Sequence, residues 1–205
     1  LNMPYFHESF SDESKGSSYF GLATFSKHPI INKQSHRFKN DNSNQCIWSD
    51  VLVDNDTLSI YNAHIGSIRF NYSDYKVIGG KGSPLWPHEK RPEQKILKRL
   101  NSGFKKRSIQ IKELISILNK SKYSRIICSD INDTPLSFAY HQFDKYFKDA
   151  FTISGNGIGG TYVGKVPGLR IDYIWHDKKL SSYNFTTHDE ELSDHRAISA
   201  RVLIP

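Results

Sequence analysis

Short segments in which apolar and polar residues alternate recur along this chain and predict a protein built mainly from strands. Residues 46–53 and 57–65 form two such segments, and the turn-forming sequence Asp54-Asn55-Asp56 between them predicts a hairpin. Other predicted strands are residues 4–7, 19–25, 126–128, 169–175, 183–186 and 195–204. Strands therefore account for most of the predicted regular structure.

Apolar residues spaced three and four apart predict a helix over residues 92–120, with a break at Gly103. A second helix is predicted over residues 137–147. Residues 32–45 are hydrophilic and predict a loop or an irregular sheet edge. Residues 66–90 contain many glycines and prolines and predict a long loop, which could shape substrate access or form a surface excursion. Strands with two helical regions indicate a layered α/β or α+β domain with mixed or antiparallel sheets.

Composition narrows the partners without identifying one. The chain has 205 residues, 37% of them hydrophobic, and a formal charge of +7, which suits one globular domain and favours anionic partners. Cys46 and Cys128 have no metal-ligand spacing and are predicted to be buried free thiols. No apolar run has the ~18–20 residues of a membrane-spanning helix, and the compartment stays open. Because the chain begins without Met, we expect a fragment of a longer product.

The segment that organises the chain is the apolar strand 126–128, which ends in Asp130 and Asn132. Side chains two apart on a strand point the same way, so these two lie about 6–7 Å apart on one side. A carboxylate and an amide placed in this way can orient a water molecule or hold a phosphate oxygen. An equally good interpretation is that they cap the following helix.

Phosphodiester hydrolysis needs an oriented water, a divalent cation and donors for the charge that develops on phosphorus. His64 and His195 lie at ends of predicted strands, and either could donate to a phosphate oxygen as imidazolium. Asp172 could fix the tautomer of a neighbouring histidine and raise its pKa. Asp194 is a candidate hard-oxygen ligand for Mg²⁺ or Mn²⁺.

Five sequence motifs, four of which contain these residues, occur in a definite order along the chain. Together they resemble the endonuclease/exonuclease/phosphatase superfamily, which includes pancreatic deoxyribonuclease, apurinic endonucleases, bacterial sphingomyelinases and inositol-polyphosphate phosphatases. The resemblance runs from about Tyr5 to the C-terminus. The motifs are Gly-Leu-Ala-Thr-Phe-Ser-Lys-His-Pro-Ile (21–30), Tyr-Asn-Ala-His-Ile (61–65), Ser-Asp-Ile-Asn-Asp-Thr-Pro (129–135), Arg-Ile-Asp-Tyr-Ile (170–174) and Ser-Asp-His (193–195).

The resemblance implies a four-layer α/β sandwich, in which two mixed β-sheets pack face to face and are flanked by helices. It also implies a role for each motif residue. His64 and His195 would contact phosphate, and Asp172 would pair with His195. The remaining roles are water activation and phosphate binding by Asp130 and Asn132, and metal binding by Asp194.

The chain departs from the family pattern at two places. Ser129 and Ile131 stand where the family usually has Gly and Phe. In residues 1–20 nothing matches the family's Asn or Asp, or its principal metal-binding Glu. We therefore expect a single domain over residues 1–205 that lacks its N-terminal strands. The missing part could lie upstream in the natural protein, come from another chain or be absent, and an open sheet edge would favour pairing with a second chain.

These observations predict a metal-dependent phosphoester or phosphodiester hydrolase of the nuclease or phosphodiesterase type, in which water attacks phosphorus. The alternative is a non-catalytic relative that binds phosphate or nucleic acid and lacks the metal-binding Glu. DNA, RNA, lipid headgroups and inositol phosphates all remain candidate substrates, because fold does not fix substrate.

Overall fold

The computed structural model describes residues 2–10, 20–39, 41, 43–67, 92–164, 168–190 and 192–204, and within them the chain forms ten strands and three helices. Most of the predicted loop 66–90 lies outside these residues. The elements are β1 (Tyr5–Phe10), β2 (Gly21–Ser26), β3 (Ile30–Arg37), β4 (Gln45–Val53), β5 (Asp56–His64), α1 (Pro92–Leu118), β6 (Ser124–Asp130), α2 (Phe138–Asp144), β7 (Phe147–Asp149), α3 (Ala150–Ser154), β8 (Asp172–Asp177), β9 (Ser181–Thr187) and β10 (Ile198–Leu203).

Six strands form the central sheet, in the order β3-β4-β5-β6-β8-β7. The β5–β6 pair is parallel, and the other four pairs are antiparallel. The parallel pair needs a crossover, and α1 lies on that connection. The sheet is therefore mixed, as predicted.

One face of the central sheet is covered by α1 and α2. Ile111, Leu114 and Leu118 of α1 are fully buried against alternate residues of the strands, including Tyr61 and Trp175. Burial of each large side chain of this kind contributes roughly 1.5–3 kcal/mol. This helix-covered face holds the main hydrophobic core.

The opposite face carries two antiparallel hairpins, β1–β2 and β9–β10. The first lies over β4, where Nδ1 of the buried His7 is 3.0 Å from Oγ of Ser49. The second lies over β8 with α3, and Ile174 and Phe185 are buried between them. The predicted face-to-face β layers are present, and in the described residues the second layer consists of these two separate pairs.

Residues 32–37, predicted to be a loop or an irregular sheet edge, belong to β3, an edge strand whose pairing with β4 shifts register between Ile30 and Asn32, so the sheet-edge alternative is confirmed. Other predicted boundaries were wrong. Helix α1 continues through Gly103, because the tertiary contacts of its apolar face outweigh the cost of about 1 kcal/mol for a glycine. The second helix ends at Asp144, and β7 and α3 follow it. These short elements had no periodic pattern long enough to predict them.

Candidate active site

Three predicted site residues form one row across the central sheet. His64 at the end of β5 pairs in register with Asp130 of β6, and Asp130 pairs with Asp172 of β8. All three lie on the face that carries the hairpins. They line a cleft of about 360 Å³ between the hairpins, with Leu22 and Ile198 on opposite sides.

Asp172 and His195 form a hydrogen-bonded pair in this cleft. Nδ1 of His195 donates to Oδ2 of Asp172 at 2.9 Å, and both side chains are partly buried. The hydrogen bond and the charge of Asp172 raise the pKa of His195 to about 9, against the opposing effect of burial. At neutral pH the imidazole is therefore protonated, and its Nε2–H is a proton donor.

Asp130 is the candidate proton acceptor of the cleft, in contrast to the donor His195. Burial, and next the charge of Asp172, raise the pKa of this carboxyl to about 7, although hydrogen bonds from Asn132 favour the ionised form. Nε2 of His64 lies 3.6 Å from Oδ2 of Asp130. A carboxyl whose pKa lies near neutral pH is suited to accept a proton from water.

Asn132 folds back on Asp130 in a tight turn. Its backbone is left-handed, with φ of 50°, and its N–H donates to Oδ1 of Asp130 at 2.8 Å. Its side-chain amide donates to the carbonyl of Ile65 at 3.0 Å and thereby ties the turn to the end of β5. The helix-capping interpretation was wrong, because the N-cap of α2 is Ser137, whose side chain accepts from the N–H of Tyr140.

Comparison with known proteins places the chain in a family. The sequence profile of the Endonuclease/Exonuclease/phosphatase family matches residues 2–195. The chain belongs to this family. The family name covers endonucleases, exonucleases and phosphatases, which hydrolyse phosphoester bonds. No curated protein matches the chain significantly in sequence.

Solved structures share the fold at low sequence identity. An endonuclease/exonuclease/phosphatase family protein from Leptotrichia buccalis matches with a TM-score of 0.65 and 18% identity over 98% of this chain and 71% of that chain. The catalytic domain of human Nocturnin, solved with a sulfate anion, matches with a TM-score of 0.60 and 15% identity over 96% of this chain and 73% of that chain. A mannosyl-6-phosphatase from Bacteroides thetaiotaomicron matches with a TM-score of 0.60 and 12% identity over 98% of this chain and 78% of that chain.

Members of the Endonuclease/Exonuclease/phosphatase family generally use divalent metal ions, and the cleft offers suitable ligands. Ligand atoms of Asp130, Asp172 and His195 all lie within 4.8 Å of one another. Nδ1 of His195 is already bonded to Asp172, so the carboxylate oxygens are the better donors for a hard cation. Asp194 is exposed and lies outside this group, although its charge also raises the pKa of His195.

Two residues that hold the site together were not identified from the sequence. Thr161 is fully buried, and its Oγ1 accepts from the backbone N–H groups of Ile171 and Asp172 at 3.1 and 3.2 Å. The ring of Tyr162 stands edge-on to the ring of His195, with centroids 5.4 Å apart. The only sequence signal is a Thr-Tyr pair after Gly159-Gly160, which alone indicates a turn followed by a short strand.

The two cysteines differ. Cys46 is fully buried in the main core, as predicted, and burial raises its thiol pKa. Cys128 is also a free thiol, as predicted, but the prediction that it is buried was wrong, because it is exposed and lines the cleft beside Asp130. The hairpins leave this part of β6 uncovered.

None of the helices in the described ranges is both long and apolar enough to span a bilayer.

Proposed function

We propose that this protein is a metal-dependent phosphodiesterase or nuclease, in which water attacks phosphorus in line with the leaving oxygen. The observation that carries the proposal is the convergence of Asp130, Asp172 and His195, with ligand atoms within 4.8 Å of one another, in an open cleft. This convergence combines a proton acceptor, a protonated donor and carboxylate oxygens in one place.

Each side chain has a role that follows from its environment. Asp130, with a pKa of about 7, orients the water and accepts its proton. His195, held protonated by Asp172, donates to a phosphate oxygen and stabilises the negative charge of the transition state. His64, at the cleft side of Asp130, contacts a second phosphate oxygen. Asn132 fixes the carboxylate of Asp130 through its backbone N–H and its side-chain amide, and its Oδ1 would accept from the attacking water.

A divalent cation, Mg²⁺ or Mn²⁺, would be held by the carboxylate oxygen of Asp172 that does not accept from His195, with Asp194 as a further ligand from outside the cluster, which leaves Asp130 to accept the proton. Mg²⁺ commonly binds to one or two carboxylates and completes its shell with water and substrate phosphate. The cation would neutralise charge on the phosphoryl oxygens. A cation also suits this site because it would reduce the repulsion between two carboxylates that lie close together, a repulsion through which Asp172 opposes ionisation of Asp130.

The proposal is tested with bis(p-nitrophenyl) phosphate and Mg²⁺ or Mn²⁺. We expect turnover by the parent chain, and a loss of activity in Asp130→Ala and in His195→Ala. Asp56→Asn, which changes an exposed carboxylate at the start of β5, is the matched control and should hydrolyse the ester like the parent. Parental activity in Asp130→Ala or His195→Ala would overturn the proposed roles.

A second candidate function is non-catalytic binding of phosphate or nucleic acid. It is favoured by one observation: among the described residues the acidic cluster has two aspartates and one histidine, and Asp194 lies outside it. Calorimetry with Mg²⁺ and Mn²⁺ distinguishes the two functions. Metal binding at micromolar concentration supports the hydrolase, whereas salt-sensitive oligonucleotide binding without metal binding or turnover supports the second candidate.

We also propose that residues 1–205 act as one domain whose second β layer is completed by strands outside this sequence or by a second copy. In the described residues β2 and β10 each pair on one side only, and they border the cleft. An unpaired strand edge is a template for pairing. Light scattering across a concentration series tests self-association, and a mass that stays monomeric throughout would exclude the second copy.

A further inference from the structure

A second cavity lies beside the cleft that holds Asp130, Asp172 and His195. We call it the side pocket; it has a volume of about 690 Å³ and lies between α3, β9 and the loop that leads to Tyr162. Tyr162 lines it and also contacts His195 through the edge of its ring. Arg196, the next residue after His195, also lines it, and its backbone N–H donates to the carbonyl of Thr161 at 2.7 Å. His195 does not itself line the side pocket but is separated from it by one residue, Tyr162 in space and Arg196 in sequence, so a group joined to a phosphate at His195 lies near the pocket.

The walls of the side pocket are preformed. A Cβ atom added to Gly160 would lie 2.8 Å from Cα of Gly168, and one added to Gly159 would lie 2.2 Å from the ring of Phe151. Only glycine allows these close approaches, so the loop is packed directly against its neighbours. The volume is in the range of roughly 300–1,000 Å³ that is typical of small-molecule sites.

One wall of the side pocket is aromatic and rigidly supported. The rings of Phe151 and Phe185 meet edge to face, with centroids 5.4 Å apart. The guanidinium of Arg170 lies over the Phe151 ring at 4.4 Å and is itself held by Asp149 at 2.5 Å. Arg170 covers one face of Phe151 and Phe185 is buried, so this wall offers a fixed apolar surface against which a planar ring can pack.

Polar groups complete the lining. Oγ1 of Thr187 is buried and has no hydrogen-bond partner among the described residues. Asn156 adds an amide at the exposed rim. Arg196 and Asp189 contribute opposite charges, with Nη1 and Oδ1 3.9 Å apart. The pocket thus combines aromatic surface with both donors and acceptors and with little net charge.

These properties select among ligands. An alkyl chain would cover the hydroxyl of Thr187 without giving it a hydrogen bond, which is costly. A second phosphate would have to compete with the exposed Asp189 for Arg196, whose Nη1 lies 3.9 Å from Oδ1 of Asp189. An uncharged planar ring with donors and acceptors on its edge satisfies both the aromatic wall and the polar groups. We propose that the side pocket binds a nucleobase joined to the scissile phosphate, an inference that rests on the proposed phosphodiesterase function.

Two esters with the same leaving group test this proposal: the p-nitrophenyl ester of thymidine 5′-phosphate and methyl p-nitrophenyl phosphate. We expect the parent to prefer the nucleoside ester. Thr187→Val keeps the shape of the side chain and removes the hydroxyl, and it should reduce the ratio of the two kcat/KM values about fivefold, the value of one hydrogen bond. Asn156→Ala, at an exposed position, is the second variant and should reduce it as well.

Thr57→Val is the matched control, since Thr57 is a strand residue of β5 that does not line the pocket. Its ratio should equal that of the parent. An unchanged ratio in both Thr187→Val and Asn156→Ala would overturn the nucleobase assignment while leaving the hydrolase intact.

Direct binding separates failure of this inference from failure of the proposed function. Saturation-transfer NMR with adenosine, thymidine and glucose needs no turnover. Binding of a nucleoside that Thr187→Val weakens supports the pocket assignment even in a protein that hydrolyses neither ester. Glucose binding in preference to both nucleosides, or binding of none of the three, would overturn it.

Discussion

The two faces of β6 place opposite kinds of chemistry on one strand. On the helix-covered face Ile127 is fully buried among Tyr61, Trp175 and the apolar side of α1. On the other face Cys128 is exposed and Asp130 borders the open cleft. Adjacent residues of β6 therefore have different surroundings: one side of the strand is densely packed with apolar side chains, and the other is open to water and substrate.

The comparison shows how a strand can carry both stability and function. Burial of Asp130 is unfavourable for its charge, and that cost is what brings its pKa near neutrality. The apolar residues on the opposite face stabilise the sheet that holds it. Substitutions along this one strand should therefore separate activity from stability.

The largest effect is expected for Asp130→Asn. Loss of the proton acceptor should reduce kcat by about 10²–10⁴. The raised pKa means that the folded state binds this proton more tightly than the unfolded chain, so the free energy of unfolding falls as pH rises towards about 7. A neutral amide removes this loss. Urea unfolding of the metal-free proteins at pH 8 should find the variant more stable than the parent, and a less stable variant would contradict this account.

On the opposite face, Ile127→Ala should reduce the free energy of unfolding by about 2–5 kcal/mol, because it leaves a cavity in the main core. The neighbouring Cys128→Ala is the control and should change it by no more than about 0.5 kcal/mol. Urea titrations with a shared m-value measure both. Equal losses in the two variants would show that the cleft face is as closely packed as the core.

The pairing within the cleft is tested by Asp172→Asn. Without the carboxylate, the pKa of His195 should fall from about 9 towards its ordinary value of 6.5. The pair contributes stability below pH 6.5 that is lost as pH rises through 9, so the variant should also lose this pH dependence. NMR titration of the His195 imidazole in metal-free protein measures the shift, and a pKa that stays near 9 would refute the assigned cause.

A substitution at Ser129 should have a smaller effect on the free energy of unfolding than Ile127→Ala, and the effect should be stabilising. Its Oγ is buried and has no hydrogen-bond partner among the described residues, so Ser129→Ala should increase the free energy of unfolding by about 1 kcal/mol. Ser49→Ala is the matched control. That hydroxyl is equally buried but lies 3.0 Å from Nδ1 of His7, and its removal should be destabilising by a similar amount. Thermal denaturation distinguishes the two signs.

Much of the fold could be predicted because its signals are local. The hairpin β4–β5 follows from alternation and a turn sequence, and α1 follows from apolar spacing. The convergence of His64, Asp130 and Asp172 does not follow from local pattern, since strand order and register bring them together. Only the order of the motifs indicated that these residues belong to one site.

The remaining differences have physical causes. Cys128 has the residue type of a core position, but its exposure depends on the spacing of two hairpins far away in sequence. Thr161 positions Asp172 through backbone hydrogen bonds, and such a role depends on tertiary structure and not on a recognisable residue pattern. The side pocket likewise depends on close contacts between glycines of separate loop segments.

The link from Asn132 to the carbonyl of Ile65 also has a consequence for folding kinetics. It spans 67 residues of sequence, and the Asp172–His195 pair spans another 23. Contacts between distant residues form only after the intervening chain has closed, and proteins dominated by them fold slowly. Catalytic activity should therefore return late during refolding, after the helical signal of α1, and its recovery rate would report when the strands reach their correct register.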